Sequence, residues 1–96
     1  MDLAVAVRNH EIIEFTYDGL ERVVQPATYG TTSTGKPTLR GCLIGGRSHR
    51  HTPPWWELYT ESKMVGARSA GRVFQDFAMD GYTRGDSDFV TIIAEH

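Results

Sequence analysis

The dipeptide Asp18-Gly19 constrains this chain more than any other feature. Before it, residues 12–17 read Ile-Ile-Glu-Phe-Thr-Tyr, with Ile13, Phe15 and Tyr17 on one face of a strand and Glu14 and Thr16 on the other. After it, Glu21 to Val24 can form a return strand. A two-residue type I′ turn needs φ > 0 at both central positions, and Asp-Gly accepts this at little cost. The pattern therefore predicts an antiparallel hairpin. Pro26 has no N–H to give a ladder, so it puts the end of the return strand on an edge or at a bulge.

The rest of the chain extends that β pattern. Residues 2–9 are expected to form a short helix, capped by Asp2 and with an apolar body from Leu3 to Val7. So short a helix must pack on something to persist. Thr31 to Lys36 reads as a second hairpin tip, Leu39 to Ile44 as a third strand ended by Gly45-Gly46, and Trp55 to Tyr59 as an aromatic fourth strand. Between them lies a basic loop, residues 47–54, whose exit is stiffened by Pro53-Pro54. Lys63-Met64-Val65 and Val73-Phe74 are expected to be short strands around a turn at Ser69-Ala70-Gly71, followed by a loop over 75–85. Residues 86–94 admit two readings: Asp86-Ser87-Asp88 could cap a helix, yet Val90, Thr91, Ile92 and Ile93 favour a strand. Short strands, tight turns and one helix predict a mainly β fold, a small antiparallel β-barrel. Its expected core is Leu3, Val7, Ile13, Phe15, Val24, Leu39, Leu43, Leu58, Met64 and Phe74.

Length allows one domain, residues 1–96. An apolar fraction of 40 % is too high for disorder, and no run approaches the ~18 residues of a membrane span. Met1 to Val5 lacks the basic start of a signal peptide, and a single cysteine, Cys42, fits a reducing cytoplasm. The expected setting is a small soluble cytoplasmic domain.

The formal charge of −2 hides an asymmetry. Residues 1–35 carry −3, residues 36–72 carry +5, and residues 73–96 carry −4. Either the acidic ends neutralise the cationic centre in the fold, or the centre forms a site for a phosphate-bearing ligand. Arg40, Arg47 and Arg50 lie close in sequence to Trp55, Trp56 and Tyr59, and Tyr17 and Tyr29 add further rings. Arginines could hold phosphates while rings stack on bases. Trp55 and Trp56 point to opposite faces if extended, so at most one is core.

Other constellations lack context. Gly30-Thr-Thr-Ser-Thr-Gly-Lys36 resembles a P-loop, but Pro37 stands where Ser or Thr should hold magnesium, and no βα unit surrounds it. His49 and His51 with Cys42 fall short of the four ligands of a structural metal site. No Ser-His-Asp or Cys-His arrangement has a recognisable setting. No metal, cofactor or catalytic group is expected.

Ile13 to Gly19, then Arg22-Val23-Val24-Gln25-Pro26, then Tyr29-Gly30, resembles the opening of a WYL domain. Leu39-Arg40-Gly41-Cys42, Gly45-Gly46-x-Ser48, Trp56-Glu57-Leu58-Tyr59 with Lys63-Met64, and the stretch from Gly81-Tyr82 to Ala94 continue the likeness to short stand-alone members. The family's Trp-Tyr-Leu triplet falls on Pro37-Thr38-Leu39, Thr60 replaces a frequent arginine, and no helix-turn-helix precedes the domain. The resemblance implies an Sm-like, SH3-type barrel with an N-terminal helix. It further implies a non-enzymatic ligand-sensing module of the kind found in bacterial regulators and phage-defence or CRISPR accessory proteins. Its ligand would be single-stranded nucleic acid or a nucleotide. By position Tyr17, Arg22, Arg40 and Lys63 inherit the binding role; Arg47, Arg50 and Trp56 join them on charge and aromatic grounds. The alternative is a module for dimerisation or protein–protein interaction, with no nucleic-acid ligand.

Overall fold

A computed structural model describes residues 1–96. Helix α1 (Leu3–Arg8) is followed by strands β1 (Glu11–Tyr17), β2 (Leu20–Thr32), β3 (Pro37–Gly46) and β4 (Trp55–Thr60). A single 3-10 turn (Glu61–Lys63) leads into β5 (Val65–Val73), and β6 (Phe89–Glu95) closes the chain. All pairings are antiparallel, in the order β4-β3-β2-β1-β5, with β6 added to β2. The sheet is mainly β as expected, but β4 and β5 end its path and share no ladder, so it does not close. No helix is long and apolar enough to cross a membrane.

The Asp2 carboxylate caps α1 by accepting from the Val5 amide at 3.2 Å. The helix buries Leu3, Ala4, Ala6 and Val7. Asp18 and Gly19 have φ of 50° and 77°, the turn that the dipeptide predicts.

Strand β2 organises the molecule. Its first part pairs with β1, its middle with β3, and its end with both β3 and β6. Pro26 lies after β1 stops at Val24 and before β6 begins at Thr28, beside a register shift opposite β3. The strand continues to Thr32 because Pro26 sits where its missing donor has least to pair with. Thr32 to Lys36 then forms the second hairpin tip, closed by the Gly35 amide on the Thr32 carbonyl at 2.8 Å.

Three local expectations resolve differently or for the first time. The turn at 69–71 is instead a bulge: Glu11 faces Val73 and Ile13 faces Ser69, so β5 remains one strand with extra residues. Residues 89–95 form a strand, and Asp86 caps only a turn, accepting from the Phe89 amide and, through its side chain, from the Asp88 amide. In β4 the core residue is Tyr59, fully buried, while Leu58 is 38 % exposed. Cross-strand partners share a face: Tyr59 faces buried Leu39, whereas Leu58 faces Arg40 on the outer side. Met64 is only partly buried against the core; the remaining expected core residues are buried. Phe15, Tyr17 and Tyr59 make an edge-to-face cluster with centroids 4.9–6.2 Å apart.

Candidate ligand-binding cleft

Beside that aromatic cluster, the first hairpin turn and the basic loop enclose a cleft of about 350 Å³. The loop is drawn back onto the hairpin by two contacts to the hairpin's backbone carbonyls. The Arg47 amide donates to the Glu21 carbonyl at 2.9 Å, and His49 Nε2 lies 3.0 Å from the Asp18 carbonyl. Gly46 permits this return: its φ is 75°, and a Cβ there would sit 2.1 Å from the Glu21 carbonyl oxygen.

Arg22 forms the floor. It is 2 % exposed. Its Nη1 donates to Glu57 Oε2 at 3.2 Å and its Nη2 to the Tyr17 carbonyl at 3.2 Å. The guanidinium lies 5.6 Å and 6.0 Å from the Tyr17 and Tyr59 ring centroids, within cation–π range. Its Nε and the Tyr59 hydroxyl are buried without partners. Burial and the Glu57 charge push the Tyr59 phenol well above its ordinary range, against the opposing pull of Arg22. Tyr17 is pinned through its hydroxyl, which accepts from the Thr60 amide at 3.0 Å.

The walls are Asp18, Ser48, His49, Arg50, His51, Glu57 and Leu58. Arg50 is exposed and joins none of the ion pairs. His51 stacks on Trp55 with centroids 4.1 Å apart and planes 15° from parallel. Two guanidiniums, two carboxylates and two imidazoles thus line one opening.

Of the seven residues expected from sequence to form a site, Tyr17, Arg22 and Arg50 meet here. Arg47 is exposed on the same loop but lines no part of the cleft. Lys63 is exposed on the 3-10 turn, apart from the cleft. Arg40 points to the outer face, where it is neutralised by Asp86 at 2.8 Å and by Asp88. Burial would raise the Asp86 carboxyl, but the Arg40 hydrogen bond brings it below its usual range. Trp56 is covered on that same face: its Nε1 donates to the Asp80 carbonyl at 2.8 Å and its ring packs on Phe77 at 5.0 Å. The acidic end therefore neutralises part of the basic centre, and the site is smaller than charge counting implies.

His49, His51, Asp18 and Glu57 enter the cleft without having been singled out as binding groups. The spaced histidines were visible as a metal motif. Cys42 is fully buried, however, and no three His, Cys, Asp or Glu groups are placed to share an ion. Glu57, a lone acid in an aromatic strand, was the signal for a charge facing Arg22.

No family model, curated protein or solved structure matches this chain.

Proposed function

We propose that this protein is a non-enzymatic binding module that takes a nucleotide or a few residues of single-stranded nucleic acid in the Arg22–Arg50 cleft. The observation that carries the reading is an arginine buried at the cleft floor beside a second, unpaired arginine at its mouth. Structure rarely buries arginine without a partner network, and here that network opens on a cavity. Arg50 supplies the free cation for a phosphate, and the His51–Trp55 stack supplies an aromatic edge for a base. The meeting of Tyr17 and Arg22, both inherited through the WYL resemblance, supports the family reading. We read the open sheet as an SH3-type, Sm-like barrel parted between β4 and β5, and the setting as a cytoplasmic regulatory or phage-defence role.

Labelled single strands and nucleotides, titrated at low and moderate salt, test this. Binding should weaken by about 0.7 log unit per phosphate contact for each log unit of salt on single strands. Arg50→Ala should abolish most of the affinity, and Arg40→Ala should leave it in place. Absence of binding, or equal loss in both variants, rejects the assignment.

A second reading has its own observation. The free edges carry exposed apolar side chains: Val65 and Val73 on β5 are 64 % and 72 % exposed, and β4 adds Trp55 and Leu58. Such edges are templates for strand addition. Sedimentation velocity across concentration decides it: self-association supports an interaction module, and a strict monomer that captures no protein partner counts against it.

A further inference from the structure

We infer that the cleft selects guanine among the nucleobases, with Glu57 as the selecting residue; the inference rests on the nucleotide-binding reading above. Glu57 accepts one side-chain hydrogen bond, from the Arg22 Nη1 that reaches its Oε2, and its charge also acts on the buried Tyr59 hydroxyl. Its Oε1 accepts no hydrogen bond, and its side chain is 23 % exposed, toward a cleft that it lines. Arg22 cannot follow a ligand outward, because the Tyr17 carbonyl and two tyrosine rings hold it. Glu57 is therefore a fixed acceptor with capacity to spare, since a carboxylate offers about four lone-pair sites.

A fixed carboxylate decides which end of a nucleotide can face it. Phosphate is repelled from Glu57 and goes to Arg50, which has no acid of its own. What meets Glu57 is an uncharged edge rich in donors. Guanine offers two adjacent donors, N1–H and the 2-amino group, which match two carboxylate lone pairs. Adenine and cytosine each offer one amino group beside an acceptor. Uracil offers one N–H between two carbonyls that the carboxylate repels. A site built to receive donors rejects ligands that lack them, because its acceptor is then left desolvated and unpaired.

The test titrates guanosine, inosine, adenosine, cytidine and uridine 5′-monophosphates against the unaltered protein at low salt. Guanosine monophosphate should bind tightest. Inosine monophosphate, which keeps N1–H and lacks the 2-amino group, should be intermediate. The other three should be weaker than guanosine by roughly 5- to 150-fold, the span of one good bidentate base contact. Glu57→Gln keeps an oxygen for Arg22 but turns an amino group toward the ligand, so it should erase the preference for guanosine over inosine. Five equal affinities overturn the inference and leave the nucleotide site standing. Binding of none of the five overturns both. A guanosine preference that survives in folded Glu57→Gln overturns the role of Glu57. Should that variant fail to fold, the guanosine–inosine comparison on the unaltered protein decides alone: equal affinities reject the inference and a guanosine preference sustains it.

Discussion

Arg22 and Glu57 show how one ion pair can be both structural and functional. The guanidinium is buried and the carboxylate is partly open, so the two halves are unequal. Removing Glu57 strands a buried charge; Glu57→Ala should destabilise the protein by about 3–5 kcal/mol, read by urea denaturation. Glu57→Gln should cost less, because its amide oxygen still accepts from Arg22. His96 makes a second residue-scale case. Its ring lies 4.1 Å from that of His10 and packs on Phe74 and Phe77. Burial and the neighbouring His10 lower its pKa from 6.5, while the Gln75 backbone and Asp76 oppose the shift. The folded form thus binds this proton less readily than the unfolded form. Stability should be full above about pH 6.5 and fall as pH drops toward the lower folded value. His96→Gln should flatten that part of a melting-temperature-against-pH curve; an unchanged slope would assign it elsewhere. Local chemistry of this grain was legible only where it was contiguous. Asp18-Gly19 announced its turn, but the partner of Arg40 lies 46 residues away and no local pattern marks it.

At the scale of elements, the alternation of β1 and its turn predicted the first hairpin, whose strands begin one residue earlier than expected, at Glu11 and Leu20. β5 was harder, because Gly71 in a strand bulge carries the same composition as Gly in a turn. β4 was harder for another reason: Leu58 and Tyr59 are both apolar, and only the register against β3 says which faces inward. The segment between β5 and β6 is strapped over the outer face of the sheet. Gln25 holds it by donating to the Asp76 carbonyl and accepting from the Ala78 amide, Trp56 donates to the Asp80 carbonyl, and Arg40 holds Asp86 and Asp88. Arg40→Ala should loosen this strap without unfolding the sheet. Hydrogen exchange at the Ala78 amide and the Trp56 indole should quicken, while amides in β1 and β2 keep their protection. Uniform acceleration would mean that Arg40 supports the whole fold instead.

Across the whole molecule, the central excess of cations predicts a broad basic surface, and folding pairs only Arg40 and Arg68 of the seven cations in residues 36–72. Asp86 and Asp88 take Arg40, and Glu14 and Glu21 take Arg68, while Lys36, Arg47, Arg50, Lys63 and Arg72 join no ion pair and only Arg50 of these lines the cleft. The remaining free arginine in the cleft supports one or two phosphate contacts, so the total salt slope should be shallow, on the order of 0.7 to 1.4 log units per log unit of salt. A steeper slope would place the ligand on a wider surface. The most direct measurement of the central claim is an amide chemical-shift titration with a short single-stranded oligoribonucleotide. The account predicts that perturbed amides cluster at Tyr17, Asp18, Arg22, residues 48–51 and Glu57, while Arg40, Lys63 and the strap stay still. No perturbation, or perturbations centred on Arg40 and Trp56, would contradict it.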